Sequence, residues 1–191
     1  MIKLPASLEK HLQELFPKVR EREKFVADIL RDALDSHEGV EEEQNVSVGG
    51  TLHLFSDGGS RGNPGQSAIG IVLEDPTRGQ IVREHMERIG IETNNVAEYR
   101  ALIEGLKIAK RYHPNRLVCH LDSELIVKQL NGEYKVRVPT LKIFFDEIAE
   151  LIEEFPFASF VHIPRGDNFR ADALVNKALD TLPMPHYERG K

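Results

Sequence analysis

Residues 55–65 read FSDGGSRGNPG: the alternating run TLHLFSD closes on Asp57, and four glycines and a proline follow. A simple turn needs one or two such residues. So many positions without a side chain imply a backbone that must come close to something else, with a carboxylate at its lip. A nucleotide phosphate cradle would need a helix N-terminus directly after the glycines. Instead SAIGIVLED follows, with the apolar density of a strand. The stretch therefore reads as a glycine-rich turn between two strands, with Asp57 ending the first.

Outward from that turn the pattern continues as a mixed sheet. QIVREHMERIG reads as a third strand, and NNVAEYRALIEGLKIAKRY as an amphipathic helix with Val96, Leu102, Leu106 and Ile108 among its apolar positions. NRLVCHLD is short and almost continuously apolar, as a buried central strand should be. SELIVKQLNG and TLKIFFDEIAELIEEF are helical, FASFVHI is a strand, and NFRADALVNKAL is a closing helix. Three antiparallel strands followed by alternating helix and strand predict an α/β fold, a five-stranded mixed sheet flanked by helices. Ligands of such sheets gather at the carboxyl ends of the parallel strands.

The 191 residues suffice for one domain and a small appendage, and 40% hydrophobic with 29% charged residues predicts a packed globule. No apolar run approaches the ~18 residues of a membrane helix, and MIKLPASLEK lacks the layout of a secretory signal. Cys119 is the lone cysteine, so a reducing, cytoplasmic setting and no membrane partner are expected. It sits in an apolar run and reads as a buried small hydrophobe. His120 and His162 lie in strand patterns and read as structural; none of the eight histidines has zinc spacing. SHEGVEEEQNVSVGG is acidic and aperiodic, which divides the chain into a helical module at 1–35, a linker at 36–50, a main domain at 51–182 and a tail at 183–191.

Asp57 and Asp122 close strands, Glu98 sits early in the helix opened by Thr93 and Asn94, and Asp172 sits near the start of the last helix. Singly, each has a plain structural reading as a turn former or a partner for a helix macrodipole. Together, four carboxylates at one end of a sheet would repel one another unless cations neutralise them. Oxygen-only ligands suit Mg²⁺ or Mn²⁺, and two such ions about 3.5–4 Å apart serve in-line displacement at a phosphodiester.

With these residues in view, the domain resembles the type 1 ribonucleases H from about Thr51 to about Leu179. Four motifs carry the likeness in order: DGGSRGNPG, TNNVAEY, LDSELIV and PRGDNFRADALVNKAL. The resemblance implies a ribonuclease H-like fold and endonucleolytic hydrolysis of the RNA strand in RNA–DNA hybrids, leaving a 5′-phosphate and a 3′-hydroxyl. It implies that Asp57 bridges two metal ions, that Glu98 and Asp122 complete the ion on the leaving-group side, and that Asp172 holds the other. Gly62, Asn63, Asn94 and Asn95 match positions lining the hybrid's minor groove, and Thr93 with Asn95 a DNA-phosphate site. Ser123, Arg165 and Asn168 are further expected substrate contacts. The minor groove offers 2′-hydroxyls and base edges, so hydroxyl and amide groups suit it. Two other readings stay open: a non-catalytic regulator that binds hybrid or DNA, and a different nuclease of the same superfamily.

A net charge of −6 at pH 7 argues against a broad basic footprint, although metal ions would cancel part of the local charge. Lys128, Lys135, Arg137 and Lys142 cluster around NGEYKVRVPTLK. They are either phosphate contacts or a solvated face. The segment 130–141 is too short for the long basic insertion of some relatives, and IPRGDNF has no histidine where many carry one. Arg165 is the nearest substitute.

The leader 1–35 loosely resembles a ribbon-helix-helix module, strand then two helices, a fold in which two chains share one core. Below ≈40 residues a segment rarely buries a stable core alone. Residues 1–49 carry 7 Lys+Arg against 11 Asp+Glu, which favours homodimerisation through 1–35 over DNA reading. A helical hairpin packed on the domain is the alternative.

Overall fold

The computed structural model describes residues 50–180. The expected module at 1–35, its dimerisation, residues 36–49 of the linker and the tail at 183–191 lie outside the described residues.

Five strands form one mixed sheet in the order β3-β2-β1-β4-β5. They are β1 (Thr51–Gly62), β2 (Gly65–Asp75), β3 (Gln80–Glu92), β4 (Arg116–Leu121) and β5 (Ala158–His162). β1 pairs antiparallel with β2 and parallel with β4. Helix α1 (Asn94–Lys110) links β3 to β4, and α2 (Glu124–Leu130) and α3 (Pro139–Ile152) lie between β4 and β5. A 3-10 turn at Arg165–Asn168 leads into α4 (Phe169–Asp180). This is the α/β, ribonuclease H-like arrangement expected from the sequence.

One expectation needs correction. Asp57 does not end β1, and the glycine-rich stretch is not a turn. The strand runs on to Gly62, and the loop to β2 is only Asn63–Pro64, joined by a cis peptide bond. The pairing of β1 with β4 stops at Phe55↔His120, while its pairing with β2 continues through Asp57↔Gly70 to Gly62↔Gly65. Asp57 therefore sits where β1 parts from β4, mid-strand, in a notch at the end of the sheet.

Alternation then sorts the side chains. Leu52 and Leu54 of β1 join Ile69, Ile71 and Leu73 of β2, Leu117, Cys119 and Leu121 of β4, and Tyr99, Leu102 and Leu106 of α1 in the main core. On the other face Ala68 packs against Val175 and Ala178 of α4. With helices on both sides, β2 is buried almost throughout, as a strand covered on both faces should be. Cys119 is fully buried, matching the sequence reading.

The glycines make room for the chain's own backbone. A Cβ on Gly58 would overlap the Ala97 carbonyl and the Glu98 nitrogen of α1, and one on Gly70 would overlap the Ala171 carbonyl of α4. Only hydrogen at these two positions lets the helices lie directly on the strands. The start of α1 is fixed by Thr93, whose hydroxyl accepts the Val96 N–H at 3.3 Å. The buried Tyr99 hydroxyl donates to Gln129 Oε1 at 2.7 Å and ties α1 to α2. A neutral hydrogen bond of this kind contributes about 1 kcal/mol net.

Gly58→Ala should destabilise the protein at or above the upper end of the ~1–3 kcal/mol typical of overpacking. Gly166→Ala, where the added carbon meets nothing within 4 Å, should stay within about 0.5 kcal/mol of the parent. Chemical denaturation of both variants checks this, and equal effects would contradict the close approach of α1 to β1.

Candidate active site

Three of the four expected carboxylates meet at the notch. Asp57 comes from β1, Asp122 directly follows β4, and Glu98 comes from the second turn of α1, brought over Gly58 by the helix contact. One oxygen from each lies within 4.8 Å of the others. Asp57 and Glu98 are buried and Asp122 is half-buried.

So close a set is electrostatically costly. Burial raises the Asp57 carboxyl to about 6, assisted by the charges of Asp122 and Asp172. Burial raises Glu98 further, to about 9, with Asp57 and Asp122 adding to it. Glu98 Oε2 and Asp122 Oδ1 are buried with no hydrogen-bond partner among the described residues. Buried acceptors without donors are rare unless something else fills the role. An all-oxygen donor set with unmet lone pairs fits a hard divalent cation and not a soft one.

Asp172 stands apart from this trio, although its charge is felt at Asp57. Its Oδ1 accepts the Arg165 guanidinium at 2.8 Å, and its Oδ2 accepts the Asn176 amide at 2.9 Å. Arg165 is exposed on the 3-10 turn. Asn168, expected to touch substrate, is buried. Its amide donates to the Ser56 carbonyl at 3.0 Å, fastening the turn to the residue before Asp57.

The remaining expected contacts lie on several elements. Gly62 ends β1 at a φ of 118°, open to glycine alone in practice. Asn63 Oδ1 accepts the Asn94 N–H at 3.1 Å, so the hairpin tip and the start of α1 hold each other. Asn94 and Asn95 are exposed beside the capping Thr93. Ser123 occupies the N-cap position of α2 without a side-chain capping bond. Lys135 and Arg137 are exposed in the segment between α2 and α3, whereas Lys142 is bonded to Asp146 and Lys128 to Glu124 within their helices.

Sequence reasoning missed Asn176, although its spacing of four from Asp172 on a helix is the signal that finds such a pair. It also missed the anchoring role of Asn168, for which an aperiodic loop offers no signal.

The family described as reverse transcriptase-like matches residues 55–178. Ribonuclease HI of Halobacterium salinarum is 44% identical over 132 residues, covering 69% of this chain and 66% of that protein. A bifunctional protein of Mycobacterium tuberculosis is 38% identical over 127 residues, covering 66% of this chain but 35% of the relative. The chain thus spans just under two thirds of the first relative and about a third of the second. Among solved structures, RNase H1 of Halobacterium salinarum superposes with a TM-score of 0.67 at 43% identity, covering 70% of this chain and all of that one. A ribonuclease H1 solved in complex with an RNA/DNA hybrid gives 0.64 at 46% identity, covering 68% of this chain and 96% of that one. The carboxylate notch, the sheet order and these likenesses converge: the chain belongs to the reverse transcriptase-like family, and residues 55–178 are a ribonuclease H-like domain.

Proposed function

We propose that this chain is a metal-dependent endonuclease that hydrolyses the RNA strand of RNA–DNA hybrids, leaving 5′-phosphate and 3′-hydroxyl ends. The observation that carries the reading is the trio of Asp57, Glu98 and Asp122, whose oxygens converge within 4.8 Å with buried lone pairs unmet. A protein with no use for cations there would gain stability by replacing one of the three, so the non-catalytic reading lacks support. The likeness to ribonucleases H, one of them in complex with hybrid, supports the substrate class.

Asp57, Glu98, Asp122 and Asp172 would hold two ions, Mg²⁺ or Mn²⁺. Bound hard cations supply a hydroxide-like nucleophile near neutral pH and neutralise charge on the leaving oxygen. Asp57 would be the ligand common to both. Gly62, Asn63, Thr93, Asn94 and Asn95 place polar groups where a minor groove would lie, and Ser123 and Arg165 flank the carboxylates. Asn168 is a positioning residue that holds Ser56 and hence Asp57. Lys135, Arg137 and Lys142 would meet DNA phosphates. Such contacts recognise shape and sugar, and little sequence. A cytoplasmic setting and pairing of two chains through residues 1–35 complete the proposal.

Asp57→Asn should lower hybrid cleavage in Mg²⁺ by roughly 10²–10³-fold or more, while the metal-free protein melts no lower than the parent because one buried charge is gone. A gel assay on labelled hybrid checks it, and full activity in the variant would refute the assignment.

Glu98 also predicts a pH dependence. In the metal-free protein its folded pKa of about 9 lies above the ordinary value of 4.5, so the folded state holds a proton the unfolded chain has lost. Stability contributed this way is lost as pH rises toward 9. Half-buried His53 and His120 act oppositely, since desolvation lowers both, but only below about pH 6.5. Between pH 7 and 8.5, in chelator, the melting temperature should therefore fall with pH, and Glu98→Gln should flatten the slope. Identical slopes would contradict the shift.

A further inference from the structure

Both carboxylate oxygens of Asp172 accept a hydrogen bond: Arg165 donates to Oδ1 at 2.8 Å and Asn176 to Oδ2 at 2.9 Å. The Asn176 amide also donates to the Asp172 carbonyl at 2.9 Å, which fixes its place on α4. The two partners differ in kind. Asn176 is neutral and tied to the helix, whereas Arg165 is a full positive charge on a four-residue turn. The Arg165 side chain is 79% exposed against 29% for Asp172. Arg165 is also the cation felt at both Asp57 and Glu98.

We infer that Arg165 is a built-in counter-ion for Asp172, holding this fourth carboxylate in a resting position from which a divalent cation must displace the guanidinium. Asn176 keeps the carboxylate aimed during the exchange. The consequence is a graded site. The trio binds an ion without displacing a guanidinium, and the position that uses Asp172 binds more weakly. Arg165 is thus a positioning residue that sets ion affinity. Exposed ion pairs of this type are worth roughly a factor of two to five in an equilibrium constant. The inference rests on the reading of the notch as an ion site.

Calorimetric titration of Mg²⁺ into the full chain, stripped of metal, tests it. Arg165→Ala and Arg165→Gln should each tighten the weaker binding step about two- to fivefold. Arg170→Ala removes a charge two residues from Asp172 on the same helix and should leave that step unchanged. Unaltered or weaker binding in both Arg165 variants, or equal tightening in Arg170→Ala, would overturn the counter-ion role. Asp57→Asn serves as the separate control. If it abolishes saturable binding, the ion site stands whatever the Arg165 variants do. If it leaves binding intact, or the parent shows none, the ion site itself falls and the inference with it.

Discussion

Carboxylates gathered in a partly buried notch repel one another, and most of what distinguishes this domain serves to hold them together against that repulsion. At the mouth of the sheet β1 leaves β4 but keeps pairing with β2, so Asp57 is fixed mid-strand with one flank open. The flank is filled from two sides, by Asp122 after β4 and by Glu98 from α1. Protonation offers partial relief, and the raised pKa values of Asp57 and Glu98 express it. A bound cation offers the fuller relief, because it also satisfies the orphaned lone pairs.

The supports are specific. Hydrogen at Gly58 lets α1 lie on β1, and that contact brings Glu98 to Asp57. Asn168 reaches from the 3-10 turn to the Ser56 carbonyl, so the strand is held from the α4 side as well. The Tyr99–Gln129 bond keeps α2, and the Asp122–Ser123 corner before it, in register with α1. Each tie lies one or two residues from a carboxylate, which is where a small displacement would matter most for positioning.

Much of this was legible in the sequence. Period-two and period-3.6 patterns found each described strand and helix, and the spacing of Asp57, Glu98, Asp122 and Asp172 pointed to one end of the sheet. Other features were not legible, for physical reasons. Glycines in FSDGGSRG read as chain-breakers, yet β1 continues because its pairing with β2 runs on to Gly62↔Gly65, an extent that no local pattern encodes. The close approach they permit is to helices more than thirty residues away in sequence. Asn168 looked like a surface contact because the loop around it has no periodicity, but tertiary packing buries it. The ties of Asp172 to Arg165 and Asn176 had no sequence reading either, because they depend on three-dimensional placement.

The claim beneath all of this is that the carboxylates converge in order to be neutralised by metal. Proton counting tests it directly, by measuring the heat of Mg²⁺ binding at pH 7.5 in buffers of different ionisation enthalpy. With Glu98 titrating at about 9, an ion that takes up its carboxylate must expel nearly one proton per protein molecule. Saturable binding with that release is the expected result. Binding with no proton released, or no binding at millimolar Mg²⁺, would contradict it.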